Sequence, residues 1–178
     1  VEDASARFVA EATNGSPGSA ILCSMEGSRP LLVEVQALVA PTELVPPRRI
    51  ANGIDRNRLA LVLAVLTRHA GISIGSADVF VSVAGGVRID EPGADLAIAL
   101  AIASATRGTP LGSSDRPLAA FGEIGLTGEL RQVAHPDRRL AEASKFGLDR
   151  VLHPRPELTT LNAALKAALE PPSGVRAA

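Results

Sequence analysis

The stretch RIDEPGADLAIALAIASA, Arg88 to Ala105, runs an acidic, proline-containing turn directly into a helix that is apolar on every side. Several hydrolases place a nucleophile in a turn of this kind, at the N-terminus of a buried helix. Here the turn reads Glu91-Pro92-Gly93-Ala94-Asp95 and contains no serine, cysteine or threonine. Nucleophilic catalysis needs a hydroxyl, thiol or amine beside a base. Ser82 lies in a strand-like run, and Ser104 comes late in the apolar helix. His69, His135 and His153 stand next to helix ends or loops, and no spacing pairs any of them with a serine. No His or Cys pair has metal-ligand spacing. The glycines of AGGVR lack the Gly-Lys-Ser/Thr ending of a phosphate loop. They read as a bend that lets the backbone approach a neighbouring helix.

The positive signal lies in the arginines. PPRRIANGIDRNR carries Arg48, Arg49, Arg56 and Arg58 against Asp55. RQVAHPDRR carries Arg131, Arg138 and Arg139 against Asp137, with Arg88 and Lys145 as additional cations. A guanidinium suits bidentate phosphate contact. The net charge is −1, so taken alone these segments read as a solvated surface with scattered ion pairs. If they do meet nucleic acid, the lack of an aromatic platform favours duplex phosphates over stacked single strands.

These groups need elements to hold them. Gly18–Met25 and Pro30–Val39 read as strands joined by a turn at Glu26–Arg29. The X-Pro steps of APTELVPPRRIANGI argue for an extended loop. Asp55 is placed to cap a helix ended by Gly71, with Leu59, Val62, Leu63 and Leu66 as its stripe. Leu61 and Val65 fall off that stripe, which predicts cover on more than one side. A strand over Asp78–Ala84 follows, then a bend at Gly85-Gly86. Pro92 suits a first helical turn, and Asp90, Glu91 and Asp95 favour its positive end. Pro117–Val133 reads as a hairpin about Leu126-Thr127-Gly128. A helix from Pro136 to Phe146, a strand over Arg150–His153 and a helix over Pro156–Leu169 complete the chain. The order ββ-α-β-α-ββ-α-β-α predicts an α/β sandwich with a mixed sheet.

Composition bounds the rest. The chain has 178 residues, four Phe and no Trp or Tyr, so its core must be built from Ala, Val, Leu and Ile. The single cysteine, Cys23, excludes an internal disulfide and fits a reducing cytosol. The only lysines are Lys145 and Lys166. No apolar run reaches the length of a membrane span, and no signal-peptide pattern opens the chain.

NGIDRNRLALVLAVL, DVFVSVAGGVRIDEPGADLAIALAIASA and FGEIGLTGELRQV together resemble the C-terminal domain of the bacterial DNA-repair protein family RadA, also called Sms. The resemblance covers roughly residues 18 to 170. It implies a fold like the proteolytic domain of Lon protease, a Ser-Lys peptidase, and so a Lon-like α/β sandwich of the ribosomal-protein-S5-domain-2 type. In that comparison Gly93 takes the position of the nucleophilic serine and Asp137 stands closest to the general-base lysine, which implies a pseudo-protease with no catalytic residue. The resemblance further implies a linker over 1–17 from a preceding ATPase core, a Lon-like domain over 18–170 and a flexible tail over 171–178. It implies a cytoplasmic homo-oligomer, most simply a hexamer, that binds double-stranded DNA without regard to sequence and reaches a recombinase filament through the full-length protein. ATP, Mg and Zn belong to parts of the family outside this chain, since it holds no Walker A, CxxC or Lys-Asn-Arg-Phe-Gly motif. Arg48, Arg49, Arg56, Arg58, Arg131, Arg138, Arg139 and Lys145 are the DNA-binding candidates. The alternatives are a residual Lon-type peptidase and a purely structural oligomerisation module.

Overall fold

The structure is a computed structural model and describes residues 3–13 and 15–169. The tail expected over 171–178 lies outside the described residues.

A mixed six-stranded sheet organises the chain in the order β3-β4-β2-β1-β5-β8. β1 (Ser19–Glu26) and β2 (Arg29–Pro41) form the expected antiparallel hairpin, in register from Ser19↔Gln36 to Glu26↔Arg29. Gly27 supplies the left-handed turn residue, with φ 62°. β4 (Ala77–Val83) runs antiparallel to β2. β5 (Leu118–Ala120) and β8 (Arg150–Leu152) extend the sheet in parallel beyond β1.

The region expected as an extended loop, residues 40–54, is more ordered than that. β2 continues to Pro41, and β3 (Arg49–Asn52) pairs in parallel with β4 as the edge strand. The prolines exclude a helix, as expected, but the backbone they extend is free to pair once past Pro47. The hairpin expected over 117–133 also divides. β5 joins the main sheet, the chain turns at Phe121-Gly122, and only β6 (Glu123–Ile124) and β7 (Leu130–Arg131) form the hairpin about Leu126–Gly128. Gly122, with φ 148°, sits where a Cβ would lie 2.8 Å from the Pro154 ring. Pattern alone does not separate a continuous strand from one that changes sheet.

α3 (Asp95–Arg107) is the central element, with every side chain from Asp95 to Ser104 buried. It packs on β1 and β2 and meets α2 (Arg56–Ala70) and α5 (Leu161–Leu169). Seven of its residues, Ala97 to Ala103, are alternately Ala and a branched aliphatic, all 0% exposed, so close approach replaces aromatic bulk. α2 ends at Gly71 in the left-handed conformation, as expected. Asp55 precedes α2 without a side-chain cap bond, and its carbonyl accepts from Leu59 N instead. Val65 is buried, but Leu61 remains 49% exposed, so the wider cover expected of α2 is incomplete. α5 begins at Leu161, five residues later than Pro156.

Part of the segment expected as a linker is helical. α1 (Ala4–Glu11) is capped by Asp3, which accepts from Ser5 N. It packs on β2, where Ser5 Oγ accepts from Leu32 N. Its Phe8 ring fills the space where Gly85, with φ 77°, has no Cβ. The bend at Gly85 thus admits a neighbouring helix, as its sequence suggested. α4 (Pro136–Lys145) packs on β1 and β2 as well. Phe8→Ala should lower stability by about 3 kcal/mol, as for a large-to-small core change. Urea unfolding measures this, and an unchanged midpoint would return residues 4–11 to the status of a linker.

Candidate functional site

The turn ahead of α3 is closed by ion pairs. Pro92–Ala94 forms a single 3-10 turn, with Glu91 before it and Asp95 after it. Glu91 accepts from Arg139 at 2.6 Å through Nη1 and 2.5 Å through Nη2, and also from Ser24 Oγ at 3.0 Å and Met25 N at 2.9 Å. Arg139 completes its donor set with Ala134 O at 2.9 Å and Cys23 O at 3.0 Å. Its guanidinium lies 5.3 Å from the centroid of the Phe121 ring, which stacks on His153 at 5.0 Å. Asp95 accepts from Arg58 Nη1 at 2.6 Å and from Ile124 N at 3.1 Å. Burial pushes the Asp95 carboxyl above its ordinary range, opposed by the Arg58 hydrogen bond and the Ile124 N–H.

Gly93 is buried inside this clamp. A Cβ there would lie 2.6 Å from Arg139 Nη1 and 2.8 Å from Glu91 Oε2. The space a nucleophile's side chain would need is therefore occupied by a guanidinium and a carboxylate, each held by several hydrogen bonds. The Gly93 carbonyl also accepts from Gly122 N, and Gly122 O accepts from Leu96 N, which fastens the β5–β6 corner to the turn. Asp137, in the first turn of α4, is exposed and takes no part in the clamp. Arg139, two residues on, is the α4 side chain that reaches the turn. The sequence motif placed α4 beside the turn but not which of its residues would arrive there.

Ser104, Ser24, His69 and His153 have structural partners. Ser104 Oγ accepts from Gly18 N and donates to Thr109 O. Ser24, not singled out from sequence, donates to Glu91 and is 1% exposed. His69 Nε2 lies 3.0 Å from Leu126 O. Burial lowers the His153 pKa, and burial pushes the Cys23 thiol up to about 12, which leaves it without thiolate reactivity. No group of three His, Cys, Asp or Glu side chains suited to a metal ion occurs among the described residues. No helix among them is long and apolar enough to cross a membrane.

The arginine candidates separate. Arg139 is 1% exposed and cannot reach a phosphate from the surface, which corrects its place among the DNA contacts. Arg58 is turned to Asp95. Arg48 pairs with Asp78 through Nε at 3.1 Å and Nη2 at 2.8 Å, and this contact holds the Asp78 carboxyl below its ordinary range. Arg49 donates to the carbonyls of Ala77 and Ile74. Arg131 pairs with Glu129 at 3.0 Å and Lys145 with Asp3 at 2.8 Å. Arg138 donates to Ser28 O at 2.7 Å from an exposed position. Arg56 is exposed and has no ion-pair partner among the described residues. Within the first group, Arg48 and Arg58 turn to different acids, Asp78 and Asp95.

Arg139→Ala would strand the Glu91 carboxylate without its bidentate partner. Loss of one member of a buried pair costs about 3–5 kcal/mol. Arg138→Ala, one position away, should cost under about 0.5 kcal/mol as an exposed change. Chemical denaturation of the two variants side by side checks this, and equal midpoints would remove the clamp as a stabilising element.

No protein-family model matches the chain. Among curated proteins it is 48% identical over 151 residues to the DNA repair protein RadA of Bacillus subtilis, covering 85% of this chain and 32% of that protein. It is 47% identical over 154 residues to RadA of Haemophilus influenzae, and 46% identical over 154 residues to RadA of Escherichia coli. Each of those matches covers 86% of this chain and 33% of the relative. The chain thus spans about a third of the length of the curated relatives it matches.

Proposed function

The chain belongs to the family of the RadA DNA repair proteins, and on that premise we propose that it is a non-proteolytic scaffold domain acting in DNA repair. It assembles with copies of itself, in a hexameric ring, and holds duplex DNA through phosphate contacts. In the whole protein it positions an ATPase on recombination intermediates for branch migration. The observation that carries the non-proteolytic part is the filled space at Gly93, where Arg139 and Glu91 stand within 2.8 Å of a missing Cβ. Acyl transfer needs a nucleophile with a base in reach, and this turn offers neither a hydroxyl nor room for one. The identity to DNA repair proteins, 46% to 48% over most of the chain, carries the DNA part.

The cations suited to phosphate are those whose loss leaves no buried acid unpaired. Arg49, Arg56, Arg131, Arg138 and Lys145 meet that condition. Arg48 does not, because Asp78 is 4% exposed at its side chain and depends on it. Multivalent repetition around an assembly would add weak single contacts.

Duplex titrations at increasing salt test the DNA reading. Neutralising roughly four to seven phosphates gives a slope of log affinity against log salt of about −4 to −6. Changing Arg56, Arg131 and Arg138 to Ala should flatten it without altering the unfolding midpoint. Absence of duplex binding at low salt would overturn this part. For the other part, the parent chain and Gly93→Ser should both leave unfolded casein intact and take up no serine-reactive phosphonate, and the variant should also be less stable. Stoichiometric labelling of the parent would overturn the non-proteolytic reading.

A further inference from the structure

β2 is longer than the strand beside it. β4 pairs with it from Pro41↔Ala77 to Val35↔Val83 and then leaves the sheet through the bend at Ala84–Gly86. Ala37 N donates to Gly18 O on the β1 side, so by alternation Leu32 N faces away from β1, toward the side that β4 has left. There it donates to Ser5 Oγ of α1 at 3.0 Å. A short helix thus takes the place of a strand along the edge of β2, and covers backbone that would otherwise stand unpaired.

Few groups hold that helix. It has eight residues, of which only Ser5 and Phe8 are buried, and a helix so short is not stable alone. Asp3 ties its start to Lys145 at 2.8 Å in an exposed pair. Thr13 ties the segment after it to Glu34, through N and Oγ1, both at 2.7 Å. Two of the contacts end on the two halves of the Glu91–Arg139 clamp. Phe8 lies against Gly85, and Gly85 and Gly86 have φ 77° and 70°. Two such glycines in succession leave the backbone free unless a neighbour restricts it, and the segment they open runs on to Glu91. Lys145 belongs to α4, which carries Arg139. Neither Glu91 nor Arg139 bonds to α1 among the described residues: their partners are Ser24, Met25, Cys23, Ala134 and each other.

We infer that α1 is a strap with a seated and a lifted state, and that its seating holds the Glu91–Arg139 clamp closed. Lifted, it frees the Gly85-Gly86 bend on one side of the clamp, loosens α4 on the other and uncovers the edge of β2 at Leu32. Coupling between separated sites needs an element with two states that both sites bias. A helix held by one ring and a few hydrogen bonds belongs to the least stable part of a fold and can serve as that element. The coupling is reciprocal: opening the clamp favours the lifted strap.

Hydrogen exchange of the whole chain tests it, with Phe8→Ala and Glu91→Gln as the two variants, under conditions where both stay folded by circular dichroism. Phe8→Ala should speed exchange about tenfold or more at residues 84–92 and 136–145 as well as at 4–11, and leave 150–169 as in the parent. Glu91→Gln should speed exchange at 4–11, none of which it bonds to. A rise confined to 4–11 in the first variant, or spread evenly over the chain, would overturn the strap. So would a second variant in which 4–11 exchange as in the parent. Urea unfolding gives a further check, because changes at independent sites multiply in the unfolding constant. The strap predicts that Phe8→Ala and Glu91→Gln together raise that constant about fivefold less than the product of the two single effects. Effects that simply multiply would overturn it, and if the double variant does not fold, exchange in the two single variants decides.

Discussion

Arg139 is the interaction on which the arrangement around α3 depends. Its guanidinium is 1% exposed and reaches four acceptors: both Glu91 oxygens, Cys23 O and Ala134 O. Those acceptors belong to the turn before α3, to the middle of β1 and to the segment leading into α4. One side chain therefore fixes the distance between a strand, a turn and a helix. Burying a charge is unfavourable unless it is paired and hydrogen-bonded. Here the charge is both, with the Phe121 ring closing the remaining face. A lysine could not replace it. An ammonium has three donors around one point, whereas the planar fork satisfies two carboxylate oxygens and two carbonyls at once.

The same device recurs four residues after Glu91. Asp95 opens α3 and is held by Arg58 of α2. Glu91 and Asp95 thus flank the turn, each taken by an arginine from a different helix. Carboxylates near a helix N-terminus interact favourably with its dipole, but two of them buried beside each other would repel. Each arginine removes that repulsion while tying its own helix to α3. The two pairs are a reason for Gly93 that has nothing to do with a lost serine. Any side chain at 93 would push into the gap between the Glu91 carboxylate and the Arg139 guanidinium. The glycine is a packing requirement of the clamp. The turn is a joint held by ion pairs from two helices.

Much of the fold was legible from local signals. The β1–β2 hairpin, the glycine-ended boundary of α2, and the burial of α3 follow from turn chemistry and from the absence of a polar face. The site was less legible, for a specific reason. Glu91 and Arg139 are 48 residues apart, and nothing local in either segment names the other. Arg138 and Arg139 are adjacent and identical in sequence terms, yet one is exposed and the other is among the most buried side chains in the chain. The helical period offers a signal. Arg139 lies four residues before Ala143, the buried small residue of α4, while Arg138 lies off that face. β3 and α1 were missed because each is short and draws its order from a neighbour, β3 from pairing with β4 and α1 from Phe8 resting on Gly85. The divided hairpin was missed because the change of sheet at Gly122 depends on Pro154, far along the chain.

The distribution of partners then says which charges are free for another molecule. An arginine already serving a buried acid cannot leave it for a phosphate without restoring that acid's desolvation cost, which exceeds what one exposed phosphate contact returns. Arg139, Arg58 and Arg48 are in that position, through Glu91, Asp95 and Asp78. Arg131 and Lys145 hold partners that are themselves partly exposed, so exchange of one anion for another is nearly neutral for them. Arg138 holds only a backbone carbonyl. Counting arginines in a segment therefore overstates its capacity for DNA, because the clustering that suggests an anion site also arises where a fold needs several buried acids neutralised at once. In this chain the larger share of the arginine clustering serves the joint around α3 and the edge of the sheet, and the charge left for phosphates is the smaller, exposed remainder.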